Sequence, residues 1–188
     1  MIAIAAVVAV ASITGIGILG SKASKPTHSQ SIEDKLSREA RAGFRRADAA
    51  LKAGQLETEL SMDFDTDCTR HSEGKIRDYF QSHPCKRMAR AYIQIGDIHR
   101  DLILVAISWV EMPSATSAKE YMQLVDTDAG NVIELSRETK PFKNITFEDR
   151  TYISGIKEIF VWHVEVKPTF STTPDSVIND ILARSRQQ

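Results

Sequence analysis

The sequence predicts an α+β domain, a mainly antiparallel sheet of four to five strands with helices packed on it, set behind an apolar amino-terminal helix. Three observations predict it. Residues 2–20, IAIAAVVAVASITGIGILG, contain no charged side chain. Further on, stretches rich in β-branched and aromatic residues fall in pairs, each pair followed by a helix start, which gives the order α-ββα-ββα. Between these regions two cysteines, Cys68 and Cys85, bracket a short amphipathic helix pattern.

Composition sets the outer bounds. At 188 residues there is room for one ordinary domain and an appendage. A hydrophobic content of 42% with 26% charged residues is that of a globular chain rather than a disordered one. The net charge of -1 supplies no global attraction to nucleic acid, and none is expected as a partner. Charge is unevenly spread: residues 22–50 hold seven Lys/Arg against four Asp/Glu, whereas the rest holds 17 against 21.

The apolar run over 2–20 makes a helix about 28 Å long, close to the bilayer core of about 30 Å. Residues 1–21 are therefore expected to be a single transmembrane anchor, with the lipid bilayer as partner. A cleaved signal peptide is the nearest rival, since Ser21 and Ala23 put small residues at the inspected positions. A buried core helix is the third reading. Lys22, Lys25, Arg38, Arg41, Arg45 and Arg46 all follow the run and none precedes it, which by the positive-inside rule would leave the body in the cytoplasm. An earlier start codon would restore a basic flank, and the cysteine pair favours an exported body at the cell membrane. The extracytoplasmic orientation is the one expected.

Residues 22–30 are polar, contain Pro26 and read as a linker. An amphipathic helix is expected over 31–54. Ser31 is its N-cap with Asp34 three residues on, and Gly54 is its C-cap. Ile32, Leu36, Ala40, Phe44, Ala47 and Leu51 form one apolar stripe, with Arg38, Arg41, Arg45, Arg46 and Asp48 around it. Such a helix can lie on lipid head groups or pair with a partner helix. Packing on its own domain is the favoured reading.

The globular domain is expected over 55–188. Leu56 to Phe64 alternates loosely, as a short strand or lead-in. In the segment DCTRHSEGKIRDYFQSHPC, Ser72 caps a helix whose apolar face is Ile76, Tyr79 and Phe80, and Pro84 ends it. Three readings of the cysteines stand. A disulfide would close a loop of 17 residues, staple both ends of the helix and require an oxidising compartment. Zinc would use Cys68, His71, His83 and Cys85, a complete ligand set with an unusually tight second half. Two buried free thiols are the third. The apolar anchor in front favours the disulfide.

Ala89 to Ile95 alternates, with Ala91, Ile93 and Ile95 inward and Arg90, Tyr92 and Gln94 outward, as a half-buried strand. Leu102 to Met112 is apolar on both faces, as a central strand is, and the two make a hairpin around Gly96 to Arg100. Pro113 stops it. Ser114 or Ser117 then caps a helix, with Ser117 and Glu120 forming a box and Ala118, Tyr121, Leu124 and Val125 buried. Asp126 to Asn131 lacks the ligand series of an EF-hand and reads as a solvated turn. Asn144–Phe147, Tyr152–Ile156 and Ile159–Val166 read as strands, and the sheet is expected to carry its helices on one face. Thr172-Thr173-Pro174-Asp175 starts a final helix, with Pro at the first position and Val177, Ile178, Ile181 and Leu182 buried. SWVEMPSATSAKEY and WHVEVKPTFSTTPDSV echo one another, which shared turn chemistry explains as well as duplication.

Signs of catalysis are sparse. Glu111 and Glu165 end matching strands and could face each other in a cleft, with His163 nearby. A pair of carboxylates does acid–base work only when buried and coupled, and solvated strand-end charges are the commoner case. A half-buried His163 with a backbone partner is likewise commoner than a ligand. The sequence has no Gly-rich phosphate loop, Gly-x-Ser-x-Gly elbow or His-Glu-x-x-His. No cofactor is expected. Asn144-Ile145-Thr146 is a glycosylation sequon, meaningful only in a eukaryotic secretory host.

Several of these elements together resemble a family of uncharacterised actinobacterial proteins with one amino-terminal span. They are Cys68, His71 and Gly74, the closure His83-Pro84-Cys85, the strand end Trp109 to Pro113, and Asn131 with Glu134 to Arg137. The resemblance covers about residues 65–140 and departs at the amino terminus, where the family begins with basic residues. It implies a membrane-tethered, disulfide-bonded exported domain and supplies no activity. The expected function is a non-catalytic binding or interaction role at the cell envelope, through an unknown protein partner. A zinc-dependent or enzymatic domain built on the Cys/His cluster, and a cytoplasm-facing accessory subunit of a membrane complex, are the alternatives.

Overall fold

The computed structural model describes residues 28–96, 101–127, 130–148, 151–169 and 173–186, with side chains of the first helix from residue 37 onward. The expected anchor over 2–20 and most of the linker lie outside them. No helix among the described residues is long and apolar enough to cross a membrane.

Among the described residues the domain is α+β, a five-stranded antiparallel sheet with four α-helices. In chain order these are α1 (His28–Ala53), β1 (Thr58–Asp65), α2 (Gly74–Ser82), β2 (Arg87–Ile95), β3 (Ile103–Glu111), α3 (Ala115–Asp126), β4 (Thr151–Lys157), β5 (Phe160–Pro168) and α4 (Asp175–Ser185). The sheet order is β1-β2-β3-β5-β4, which puts the doubly apolar β3 at the centre, as its sequence requires.

The helices cover both faces, not one. Side chains alternate across a strand, so the antiparallel register sorts them. Ala91, Ile93, Val105, Ile107, Val164 and Val166 point to one face and pack with Ala40, Phe44, Ala47 and Leu51 of α1 and Ile178, Ile181 and Leu182 of α4. Met88, Val110 and Val161 point to the other and meet Ile76 and Phe80 of α2 and Ala118, Tyr121 and Val125 of α3. The rest of that second face lies under Phe142 and Phe147, which cover Tyr92, Leu104 and Ala106. Each large apolar side chain buried this way contributes about 1.5–3 kcal/mol.

This second cover corrects the reading of β2 as half-buried. Arg90 and Tyr92, expected in solvent, are 2% and 6% exposed. A strand's own alternation reports which residues share a face, not whether a distant loop folds back over the polar one.

Smaller corrections concern boundaries. α1 begins at His28, so Ser31 lies within the helix instead of capping it. Its end is a Schellman closure in which the Gln55 amide donates to the Lys52 carbonyl and the Leu56 amide to the Leu51 carbonyl. The left-handed position is Gln55 (φ 64°), one residue after the glycine. Glu73, not Ser72, occupies the N-cap of α2; the Ser72 hydroxyl instead donates back to the Cys68 carbonyl. In α3 the box pairs Ser114 with Ser117, not Ser117 with Glu120. Pro174 stands at the N-cap of α4 and Val177 is 40% exposed. The expected strand Asn144–Phe147 is a short 3-10 turn over Phe142–Asn144 and irregular chain, whose role is to bring Phe142 and Phe147 down on the sheet.

Candidate functional site

Cys68 and Cys85 are joined in a disulfide, with their Cα atoms 6.2 Å apart. The bond closes the chain around α2 and holds the loop from Thr66 to Glu73 against the end of the sheet. Because the sulfurs are bonded to each other, they offer no thiolates to a metal. The two histidines of the zinc reading are also drawn elsewhere: His83 is stacked on the Tyr79 ring at 4.5 Å between centroids, and His71 turns inward. Among the described residues no group of three or more His, Cys, Asp or Glu is arranged to hold a metal ion.

His71 enters a polar network that the sequence reading missed, in which it and Arg90 are buried and the carboxylates are partly exposed. Its Nδ1 lies 2.9 Å from Glu138 Oε1 and its Nε2 lies 2.9 Å from Asp65 Oδ2. Glu138 in turn takes the Arg90 guanidinium fork to fork, at 3.0 and 2.8 Å. Arg90 also donates to Asp63, its register partner on β1, at 2.8 Å, and to the Ile133 carbonyl at 2.9 Å. The backbone amide of Asp67 and the His71 side chain hold the Asp65 carboxyl well below the usual range, against a smaller opposing effect of burial. For Glu138 burial pushes upward, but the hydrogen bonds from Arg90 and His71 outweigh it and the carboxyl is held low. No local pattern pointed to this network, since β2 carries Arg87 and Gln94 as well as Arg90.

A second polar cluster lies farther along the same face. Asn131, expected in a solvated turn, is buried and its Nδ2 donates to Glu134 at 3.1 Å and to Glu165 at 2.8 Å. Burial pushes the Glu134 carboxyl up, partly offset by Arg137. His163 Nε2 stands 3.8 Å from Glu165 Oε1, and the His163 ring meets Tyr152 edge-on at 5.2 Å. Burial and the Glu165 charge together push the Tyr121 hydroxyl far up. The cavity bordered by Arg90, Glu134, His163 and Glu165 is about 10 Å³, about the size that one water needs.

Glu111 is not part of this cluster. It pairs with Phe160 in register, whereas Glu165 pairs with Ala106, five positions along the strand. An odd separation puts the two carboxylates on opposite faces of the sheet. The cleft in which they could have faced each other is thus excluded, and so is the favoured reading of solvated strand-end charges, since Glu111 and Glu165 are 7% and 3% exposed. Glu111 is buried beside α1, with Lys86 Nζ 3.5 Å away.

On that α1 face, at the sheet end nearest the disulfide, a cleft of about 210 Å³ is lined by Ser37, Phe64, Asp65, Thr66 and Arg87. It adjoins a narrower crevice floored by Trp109 and Phe160. Arg41 lies over the Phe64 ring at 4.2 Å, and Arg87 donates to the Ser37 hydroxyl at 3.0 Å. The cleft is below the range of about 300–1,000 Å³ of small-molecule sites and is of a size for one inserted side chain. No known protein family, curated protein or solved structure matches the chain.

Proposed function

We propose that this chain is a single-span envelope protein, held in the bilayer through residues 2–20, whose extracytoplasmic domain serves binding rather than catalysis. The Cys68–Cys85 disulfide carries the reading, because such bonds form and persist in oxidising compartments. Resemblance to the actinobacterial single-span family, on the motifs quoted above, points the same way. The side chains that suggested chemistry support a structural use instead: His71 bonds Glu138, which also takes Arg90, and Glu165 shares Asn131 with Glu134. The Phe64–Arg87 cleft, at the rim of the domain, is the docking surface this reading favours.

The test is a thiol count on the full chain prepared from an export-competent host, by intact mass after alkylation with and without reduction. Labelling only after reduction is the expected result. Two thiols that label without reduction, in a chain whose body is found on the cytoplasmic side, would overturn the proposal.

A second reading, a cytoplasm-facing accessory subunit, is favoured by one observation, the seven Lys/Arg in residues 22–50. A reporter fused after residue 188 that is active only in the cytoplasm would select it.

A further inference from the structure

The outward side of α1 is a basic surface. At 3.6 residues per turn, Ala40, Phe44, Ala47 and Leu51 define the buried side, Arg38 and Arg45 lie nearest the opposite pole and Lys52 stands to one side of it, while Arg41 is a quarter turn away over Phe64. Arg46 borders this arc. Between the cations on the outward side stand Ala42 and Ala49, which leave the guanidinium groups unobstructed. The acids of the described part of the helix, Glu39 and Asp48, lie on its flanks, and Asp48 is bound by Lys52 and Thr58. Among the described residues Arg38, Arg45 and Arg46 form no ion pair. On the adjacent α4, Asp180 is paired with Arg184.

We propose that this face of α1 docks on the anionic head groups of the bilayer that holds the chain. The inference rests on the membrane-tethered reading above and adds an orientation to it. Chain length argues for the occupant. Seven residues separate Gly20 from His28, so even fully extended they keep the start of α1 within about 25 Å of the apolar run. α1 and α4 form the outer layer on one side of the sheet, so this surface can meet a membrane without disturbing the core. The apolar stripe of α1 is already used against the sheet, so the contact is electrostatic and not an insertion. It would also bring the adjoining Phe64–Arg87 cleft close to the lipid surface.

The full chain would be reconstituted in vesicles of phosphatidylcholine alone and of equal parts phosphatidylcholine and phosphatidylglycerol, and amide hydrogen exchange followed along residues 37–53. Exchange is expected to slow several-fold in the anionic vesicles. High salt and the Arg38→Gln/Arg45→Gln/Arg46→Gln variant should abolish the difference, and the matching triple Lys variant should keep it. Equal exchange in both lipids, in chain that resists alkaline extraction, would overturn the docking proposal alone. Chain that washes out of both vesicles would overturn the tether and the docking together. A slowing that appears only with an added acidic protein, not with anionic lipid, would also overturn it.

Discussion

Arg90 and Glu138 meet fork to fork under a loop, 48 residues apart in sequence, with the arginine side chain only 2% exposed. The guanidinium is desolvated while Glu138 stays 38% exposed, so it is the arginine that is sensitive to the loss of its partner. Glu138→Ala, which strips the bidentate partner but leaves Asp63 and the Ile133 carbonyl on the guanidinium, should destabilise the domain by about 1–3 kcal/mol in urea unfolding. Arg90→Met combined with Glu138→Leu should cost less than the sum of the single changes, because the desolvated guanidinium is gone together with its partner. Additive losses would show that the two groups act independently.

Trp162 lies across the backbone of its register partner Gly155, so that a Cβ there would overlap the indole. Gly155→Ala should therefore destabilise by about 1–3 kcal/mol, with the tryptophan emission altered as the ring is displaced. Gly155→Ala with Trp162→Leu should recover part of the loss.

The closure of α1 offers a stabilising change. Gln55 holds a positive φ that glycine adopts without steric cost. Gln55→Gly should raise stability by about 0.5–1 kcal/mol, read as a shift in the urea midpoint at constant slope.

Reduction of the disulfide, or Cys68→Ala with Cys85→Ala, removes a 17-residue closure. The expected loss is about 3 kcal/mol by the chain-entropy estimate. Ser72, which donates to the Cys68 carbonyl, and the amides of α2 should show the largest increase in hydrogen exchange.

Acid should act through Asp65 and Glu138. Both carboxyls are held below their ordinary values in the folded chain, so the stability they supply is complete above about pH 5 and declines as pH falls through about 4 and below. Glu134 works in the opposite sense: burial raises its pKa, so its ionisation costs stability as pH rises above its unfolded value. Asp65→Asn should flatten the acid limb of the stability curve, and Glu134→Gln should steepen the net rise with pH. An unchanged acid limb in Asp65→Asn would exclude Asp65 from acid unfolding.

The strands and helices of the body were legible because each carries its own period. β3 announced itself as central by being apolar on both sides, and α3 by Pro113 and the serines after it. Phe142 and Phe147 were not legible in this way. Their segment has the residue types of a strand, yet they serve as two hydrophobic plugs in irregular chain, over Tyr92 of β2 and the second apolar face of β3 at Leu104 and Ala106. The candidate site divides in the same manner. His71 stood out as a possible ligand, but that it turns to Asp65 and Glu138 depends on Arg90, whose burial no local pattern signals.

The sequence alone determined strands β2 to β5, the central place of β3, the amphipathic faces of α1 and α4 and the presence of two cysteines able to pair around α2. These are properties of neighbours along the chain, written in spacings of two, three and four residues. Tertiary structure decided which faces were covered, that Glu111 and Glu165 lie on opposite sides, and that Arg90 and His71 meet at Glu138. The physical reason is that burial and pairing depend on loops returning from 40 or more residues away. Such a return changes a polar strand face from solvated surface into interior without altering any residue on it.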